Sequence, residues 1–373
     1  MRPAPFAIAR RALLAAALPW PAALRARDTV PRIEPRPLVF PRDFGAHPEF
    51  RTEWWYATGE LRSAAERFGF QVTFFRTRAP NAAQWAGSTS RFAPRQLLFA
   101  HAALTDLGER RLLHAQRIAR WSGEAAAAAA AASLDDTRVH LGDWRFARAG
   151  PVDASRYTAR LGDRDAGFAF ELTLAATQPL LLQGDAGFSR KGPQFEQASH
   201  YYSQPQLAVA GTLQRGDRRL PVEGRAWLDH EWSETVLHPD AVGWDWIGMN
   251  LDDGAALTAF RLRRADGSAL WAGGSFRAAG AAARAFGADE VRFTPQRRWT
   301  SAASGATYPV QWRVETPGGR FEVGALLDAQ ELDSRGSTGA IYWEGLSELR
   351  EAGGRRVGSG YLEMTGYAGR LRL

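Results

Sequence analysis

The chain has 373 residues, 45% of them hydrophobic and 23% charged, a globular composition sized for about two domains. It contains no cysteine, which excludes a disulfide scaffold, a thiolate metal site and a cysteine nucleophile. Forty-seven basic against 40 acidic residues give +7, but Lys191 is the single lysine and the arginines are scattered among acids, so no nucleic-acid partner is expected. No apolar run approaches the roughly 18 residues of a membrane span. The 7 histidines show no H-E-x-x-H spacing, and neither a metal nor any other cofactor is called for.

In chain order, residues 1–27 read as an export signal. Arg10 and Arg11 precede the short apolar stretch Ala12–Leu18, and small residues end near Ala26. The arginine pair leaves a twin-arginine route open, so the expected location is periplasmic or secreted, with an export or membrane-associated system as a further partner. Residues 28–39, with Pro31, Pro35 and Pro37, read as an extended linker. Strand patterns then dominate. Residues 54–61 and 68–76 are aromatic, alternate, and pair as a hairpin. Further strands are expected over 97–105, 144–148, 157–161, 168–175, 208–214 and 220–232. The second half adds 244–251, 256–262, 269–276, 291–294, 311–315, 320–325, 341–349 and 356–367. The eight alanines 125–132 read as a surface insertion, and 182–203 as an irregular polar loop. Amphipathic helices are scarce. The fold class is all-β, with antiparallel sandwiches or barrels.

Several of the fourteen tryptophans sit beside ionisable residues, as in Glu53-Trp54-Trp55, Asp143-Trp144 and Trp244-Asp245-Trp246. A charge among indoles is costly unless it is paired or functional. The densest case is Ala226–Ser233. As a strand it puts Trp227, Asp229 and Glu231 on one face and Leu228, His230 and Trp232 on the other. Two readings stay open there: a salt-bridge network neutralised by Arg76 or Arg225, or a catalytic or ligand site. Taken alone, His101 reads as a core residue and His200 as a hydrogen-bonded structural one. Ser199, Ser203 and Ser233 lack the G-x-S-x-G elbow of a serine nucleophile.

The string from Phe40 to Tyr56 (FPRDFGAHPEFRTEWWY) is followed in order by Gln183-Gly184-Asp185, Lys191-Gly192, Ser199–Ser203, Ala226–Ser233 and Gly243–Trp246. This combination resembles the AttH/CrtC lipocalin-like family, from about residue 38 to the C-terminus. The resemblance implies two consecutive lipocalin-like antiparallel β-barrels, here 40–238 and 239–373. It also implies cofactor-free hydration of an alkene, as in carotenoid 1,2-hydratases and kievitone hydratase. The family's His-x-Trp falls on His230 and Trp232. The Tyr and Asp that the hydratase branch carries on a later strand are absent from Leu257–Arg261, which brings the sequence closer to the AttH-like branch of exported predicted hydrolases.

The expected function is therefore a hydro-lyase adding water to a C=C bond of an apolar, isoprenoid- or lipid-like molecule. Asp229, His230 and Glu231 are the expected catalytic residues. Trp232, Trp244, Asp245, Trp246, Trp55, Tyr56, Glu53, His200 and Tyr201 are expected to bind substrate. The rival readings are a binding protein that holds an apolar ligand without chemistry, and a pericyclase or isomerase on the same scaffold.

Overall fold

The structure is a computed structural model and describes residues 32–79, 82–85, 90, 95–122, 129–235 and 237–371. The expected export signal lies outside the described residues. The chain from 32 to 39 has no regular structure, yet it is packed rather than loose. Ile33 is buried in the core and Arg36 pairs with buried Asp43 at 2.7 Å.

The first sheet has thirteen strands, all antiparallel to their neighbours. Its long hairpin strands are β1 (Thr52–Ser63), β2 (Glu66–Arg78), β3 (Gln96–Asp106) and β4 (Arg111–Trp121). Shorter ones follow: β5 (Ala130–Ala132), β6 (Arg138–Leu141), β7 (Trp144–Ala149), β8 (Arg156–Asp163), β9 (Phe168–Ala175), β10 (Leu181–Leu182) and β11 (Phe188–Arg190). It closes with β12 (Ala198–Arg215) and β13 (Arg218–Ser233). The order β4-β3-β2-β1-β13-β12-β9-β8-β7-β6-β5 brings the edge strands β4 and β5 together, so the sheet curls into a nearly closed barrel. The barrel core is the inward set of every strand, including Trp55, Phe70, Phe74, Leu98, Trp144 and Leu228.

The second sheet is built from β14 (Ala241–Leu251), β15 (Ala256–Arg264), β16 (Ala269–Arg277) and β17 (Arg284–Phe286), with β18 (Arg292–Pro295) at its other edge. After a separate hairpin of β19 (Arg298–Thr300) and β20 (Thr307–Pro309) come β21 (Gln311–Thr316), β22 (Gly319–Ala325), β23 (Glu331–Ser334), β24 (Ala340–Glu351) and β25 (Arg356–Met364). Its own core gathers Ile247, Met249, Leu257, Trp312, Val323 and Leu362. The all-β, two-barrel expectation holds.

Two expectations change, and one strand was not expected. Ala130–Ala132 is buried in β5 rather than on a surface insertion, because three methyl side chains fit where that strand closes against β6. Residues 125–128 of the alanine run lie outside the described residues, and Ala129 is exposed. Residues 198–203 are not loop but the start of β12, paired with β13 and β11. Arg111–Trp121 forms β4, whose polar RLLHAQRIARW pattern hides the strand because most of its residues are only half-buried at a sheet edge.

The two barrels bury a third apolar cluster between them: Tyr56, Trp227, Trp246, Phe260, Leu346 and Tyr361, among others. Strand alternation explains it. In β1, Trp55 points into the barrel while Trp54 and Tyr56 point out, onto the second barrel. The sheets approach so closely that a Cβ on Gly69 would lie 2.6 Å from the Tyr361 hydroxyl, and one on Gly248 3.2 Å from the Trp227 ring. Strands buried on both faces lose the apolar/polar alternation of a surface strand, which is why β1 and β13 read as aromatic and charged at once.

Candidate functional site

Strand β13 divides two polar clusters. Its register sets Trp55 opposite His230 and Glu53 opposite Trp232 on β1, and Glu53 faces Arg76 on β2. On the barrel side the centre is Glu53, fully buried. Its carboxylate accepts from the His47 backbone N–H (2.9 Å), His47 Nδ1 (2.8 Å), His230 Nε2 (2.9 Å) and Arg76 Nε (2.8 Å). His47 Nε2 reaches Asp43 at 3.0 Å, so both of its nitrogens donate to carboxylates and the ring is an imidazolium. Its pKa is raised by Glu53 and Asp43 against the opposing effect of burial. His230 instead accepts from the Tyr202 hydroxyl at Nδ1 (3.0 Å) and is neutral, its pKa lowered by burial. Burial opposes ionisation of Glu53, but its two histidines and Arg76 prevail and hold it well below the usual carboxylate range. Trp232 stacks on His47 at 3.8 Å and closes the cluster.

His47, Glu53 and His230 offer ligand atoms within 4.8 Å of one another, a spacing that a metal could span. One nitrogen of each ring, however, already donates to Glu53 itself, and the Arg76 guanidinium sits against the same carboxylate. That donor set suits a hydrogen-bonded lock better than a cation.

The outward face of β13 borders a cavity of about 300 Å³ between the barrels. Asp229 and Glu231 line it from the first barrel, Glu344 on β24 and Glu363 on β25 from the second. Its walls are Trp54, Trp244, Trp246, Phe75, Phe99 and Phe260. Among the described residues, Asp229, Glu344 and Glu363 have no ion pair. Glu231 pairs with Lys191 at 2.9 Å and accepts from Ser199 Oγ. Arg76 also touches the wall but is committed to Glu53. Asp229 accepts from the Tyr201 hydroxyl (2.8 Å), the Trp227 indole (2.7 Å) and Ser203 Oγ. Burial outweighs these three donors and pushes its pKa up to about 7. Glu344 and Glu363 lie directly opposite each other in the β24/β25 register. Burial is the main cause of both their shifts, and Glu363 adds its charge on Glu344. Glu363 rises to about 7, and Glu344 is raised well above the carboxylate range. Gln71 donates to Glu344 Oε2 at 2.6 Å, whereas Glu344 Oε1 and the nearby Tyr56 hydroxyl have no hydrogen-bond partner.

The expected site residues thus separate. Asp229, Glu231, Tyr56, Tyr201, Trp244 and Trp246 share the cavity. His230, Glu53, Trp55, Trp232 and His200 are buried on the barrel side of the same strands, because alternation turns every second side chain away. Asp245 points into the second barrel, held by Arg261 at 2.7 Å and the Tyr367 hydroxyl at 2.9 Å. The single combined site expected from Asp229, His230 and Glu231 is therefore two places. Glu344, Glu363 and Lys191 belong to the cavity and were not among the expected site residues. The tryptophan-carboxylate signal was present in Trp343-Glu344. The same signal at Asp143-Trp144 marks only an exposed pair with Arg117.

These features define a class: two-barrel, lipocalin-like proteins with an acid-lined, indole-walled cavity between the barrels. A model of AttH-like proteins matches residues 31–367, and the chain belongs to that family. The crystal structure designated as an AttH of Nitrosomonas europaea is 46% identical, aligns over 90% of this chain and 99% of its own, and superposes with a TM-score of 0.81. Kievitone hydratase from Nectria haematococca has 15% identity over 91% and 94% of the two chains, with a TM-score of 0.65. CghA has 13% identity over 86% and 88%, with a TM-score of 0.51. At these identities the last two share the fold. No curated protein sequence matches this chain.

Proposed function

We propose that the inter-barrel cavity hydrates a C=C bond of an apolar, isoprenoid-like molecule without a cofactor. The observation that supports this is a set of carboxyls without ion pairs among the described residues, their pKa values raised by burial, in a hollow walled by indoles. The hydratase named among the structural neighbours agrees with it. In the proposed step a neutral carboxyl, Glu344 or Asp229, gives its proton to the less substituted alkene carbon. The O–H bond breaks, the π pair forms the new C–H bond, and a tertiary cation remains. The faces of Trp244 and Trp246 stabilise that cation by about 2 kcal/mol each where water is excluded. Water adds through oxygen while Glu231, oriented by Lys191, takes its proton, which returns through solvent to the acid. The net reaction is alkene plus water to alcohol. His230 and Trp232 face away from the cavity and hold β13 in place. Export by the N-terminal signal belongs to the same proposal.

The test is turnover of a panel of isoprenoid alkenes in oxygen-18 water, followed by mass spectrometry of the labelled alcohol. Glu344→Gln and Asp229→Asn are expected to lower the rate by about 10²-fold or more, the usual contribution of a positioned acid. Unchanged rates in both variants overturn the proposal. One observation favours a second reading, a carrier without chemistry: all three neighbours of Asp229 donate to it, as they would to a permanent structural anion. On that reading, bound alkene is recovered unlabelled from the wild-type protein.

A further inference from the structure

The cavity already contains one organic ammonium, and its surroundings show what this hollow recognises. Lys191 Nζ lies 2.9 Å from Glu231, 4.3 Å above the Phe260 ring and 4.6 Å above the Tyr201 ring. A carboxylate with two aromatic faces is the environment that stabilises an alkylammonium away from water. Elsewhere in the cavity the same ingredients recur without a cation among the described residues. Glu344, Glu363 and Trp246 stand side by side in one row across β24, β25 and β14. Glu344 is 2% exposed, yet its Oε1 has no hydrogen-bond partner, and the adjoining Tyr56 hydroxyl, 6% exposed, has none either. Both line the cavity. Buried polar atoms left unpartnered are costly, so two of them at one cavity wall mark an open polar position.

Part of the more exposed lining is apolar. Leu97 and Phe99 are half-buried, and Ile118 at the rim is 50% exposed. We infer that the cavity binds an amphiphilic organic amine, with its ammonium between Glu344, Glu363 and the Trp246 face and its alkyl tail along Leu97, Phe99 and Ile118. A free amine arrives at a neutral carboxyl and takes its proton: the carboxyl O–H breaks, the N–H forms, and an ion pair remains. A preformed ammonium instead drives that proton to the buffer. The inference concerns charge recognition, so it stands or falls separately from hydration.

The probes are N,N-dimethyloctylamine and its near-isosteric neutral alcohol, 2-methyl-2-decanol. Binding to the full chain is read by calorimetry and by quenching of tryptophan fluorescence. The amine is expected to bind about tenfold tighter than the alcohol or better. The double variant Glu344→Gln/Glu363→Gln is expected to erase that preference while leaving alcohol binding within about twofold. Equal binding of the two probes by the wild-type protein overturns the inference, whether or not the variant folds. A parallel loss of both probes in a folded variant also overturns it, because that reports a reshaped cavity rather than a lost charge. Hydration that fails its own test while the amine preference persists leaves this site as a cation-binding one.

Discussion

The two faces of β13 solve the burial of charge in opposite ways. On the barrel side Glu53 has three cationic or hydrogen-bonding side chains around one carboxylate, and its affinity for a proton falls. On the cavity side three carboxyls have no ion pair among the described residues, and their affinity for a proton rises. The residues on the two faces differ by one position in the sequence, Asp229 and Glu231 against His230. The difference teaches that burial alone does not fix the protonation of an acid. What fixes it is whether cations share the same side of the sheet.

The largest effect that separates the faces is expected on stability at Glu53. Glu53→Gln leaves Arg76 without its counter-charge inside a closed barrel and the His47 imidazolium with Asp43 alone. Breaking such a buried pair costs about 3–5 kcal/mol. Urea denaturation at pH 7 checks this, and a loss below about 1 kcal/mol would show that the network contributes nothing to folding. His230→Gln is expected to lose stability through the same network. Its loss of turnover, if any, is expected to follow the unfolded fraction rather than the chemistry.

A smaller effect with a distinct pH signature is expected on the cavity side. A carboxyl whose pKa is raised by folding takes up a proton between its unfolded and folded values, so stability falls as pH rises through that window. For Glu363 the window runs from near 4.5 to about 7, and above it the penalty is constant. Glu363→Gln is therefore expected to stabilise the protein by about 1–3 kcal/mol at pH 8 and hardly at all at pH 4. Glu53 has the opposite sign. Its contribution is present above its unfolded value near 4.5 and disappears as pH falls below it. Thermal unfolding of the wild type, Glu363→Gln and Glu53→Gln from pH 4 to 8 separates the two. Parallel curves would show that the faces do not differ.

Most of the architecture was legible because aromatic, alternating segments and tight turns report strands directly. The hairpin of β1 and β2 and the strands β13 to β16 fall where the residues place them. The alternation along 227–232 was legible too, and it already assigned Asp229 and His230 to opposite faces. What single-chain reading lacks is which face meets the second barrel. Both faces of β13 are buried, so hydrophobicity does not tell interior from interface. Glu344 and Glu363 are more than 100 residues from Asp229 and reach it only through the docking of two sheets. β4 escaped for the opposite reason: a half-buried edge strand carries too few apolar residues to show its period.

The smallest contrast concerns the two cations. Arg76 is fully buried and serves Glu53, while the Lys191 side chain is 16% exposed at the cavity edge and serves Glu231. Lys191→Met keeps the length of the stem and its contact with the Tyr201 and Phe260 rings, and removes only the charge. Because water reaches this pair, the expected loss is no more than about 1 kcal/mol, against several for Arg76→Met. Paired urea titrations of the two variants measure the ratio. Losses of equal size would mean that the cavity is as closed as the barrel interior, with no room beside Glu231 for water to attack a cation. A small loss for Lys191→Met keeps the outer face what its carboxyls require it to be, a partly hydrated chamber in which protonation, rather than pairing, settles the charge.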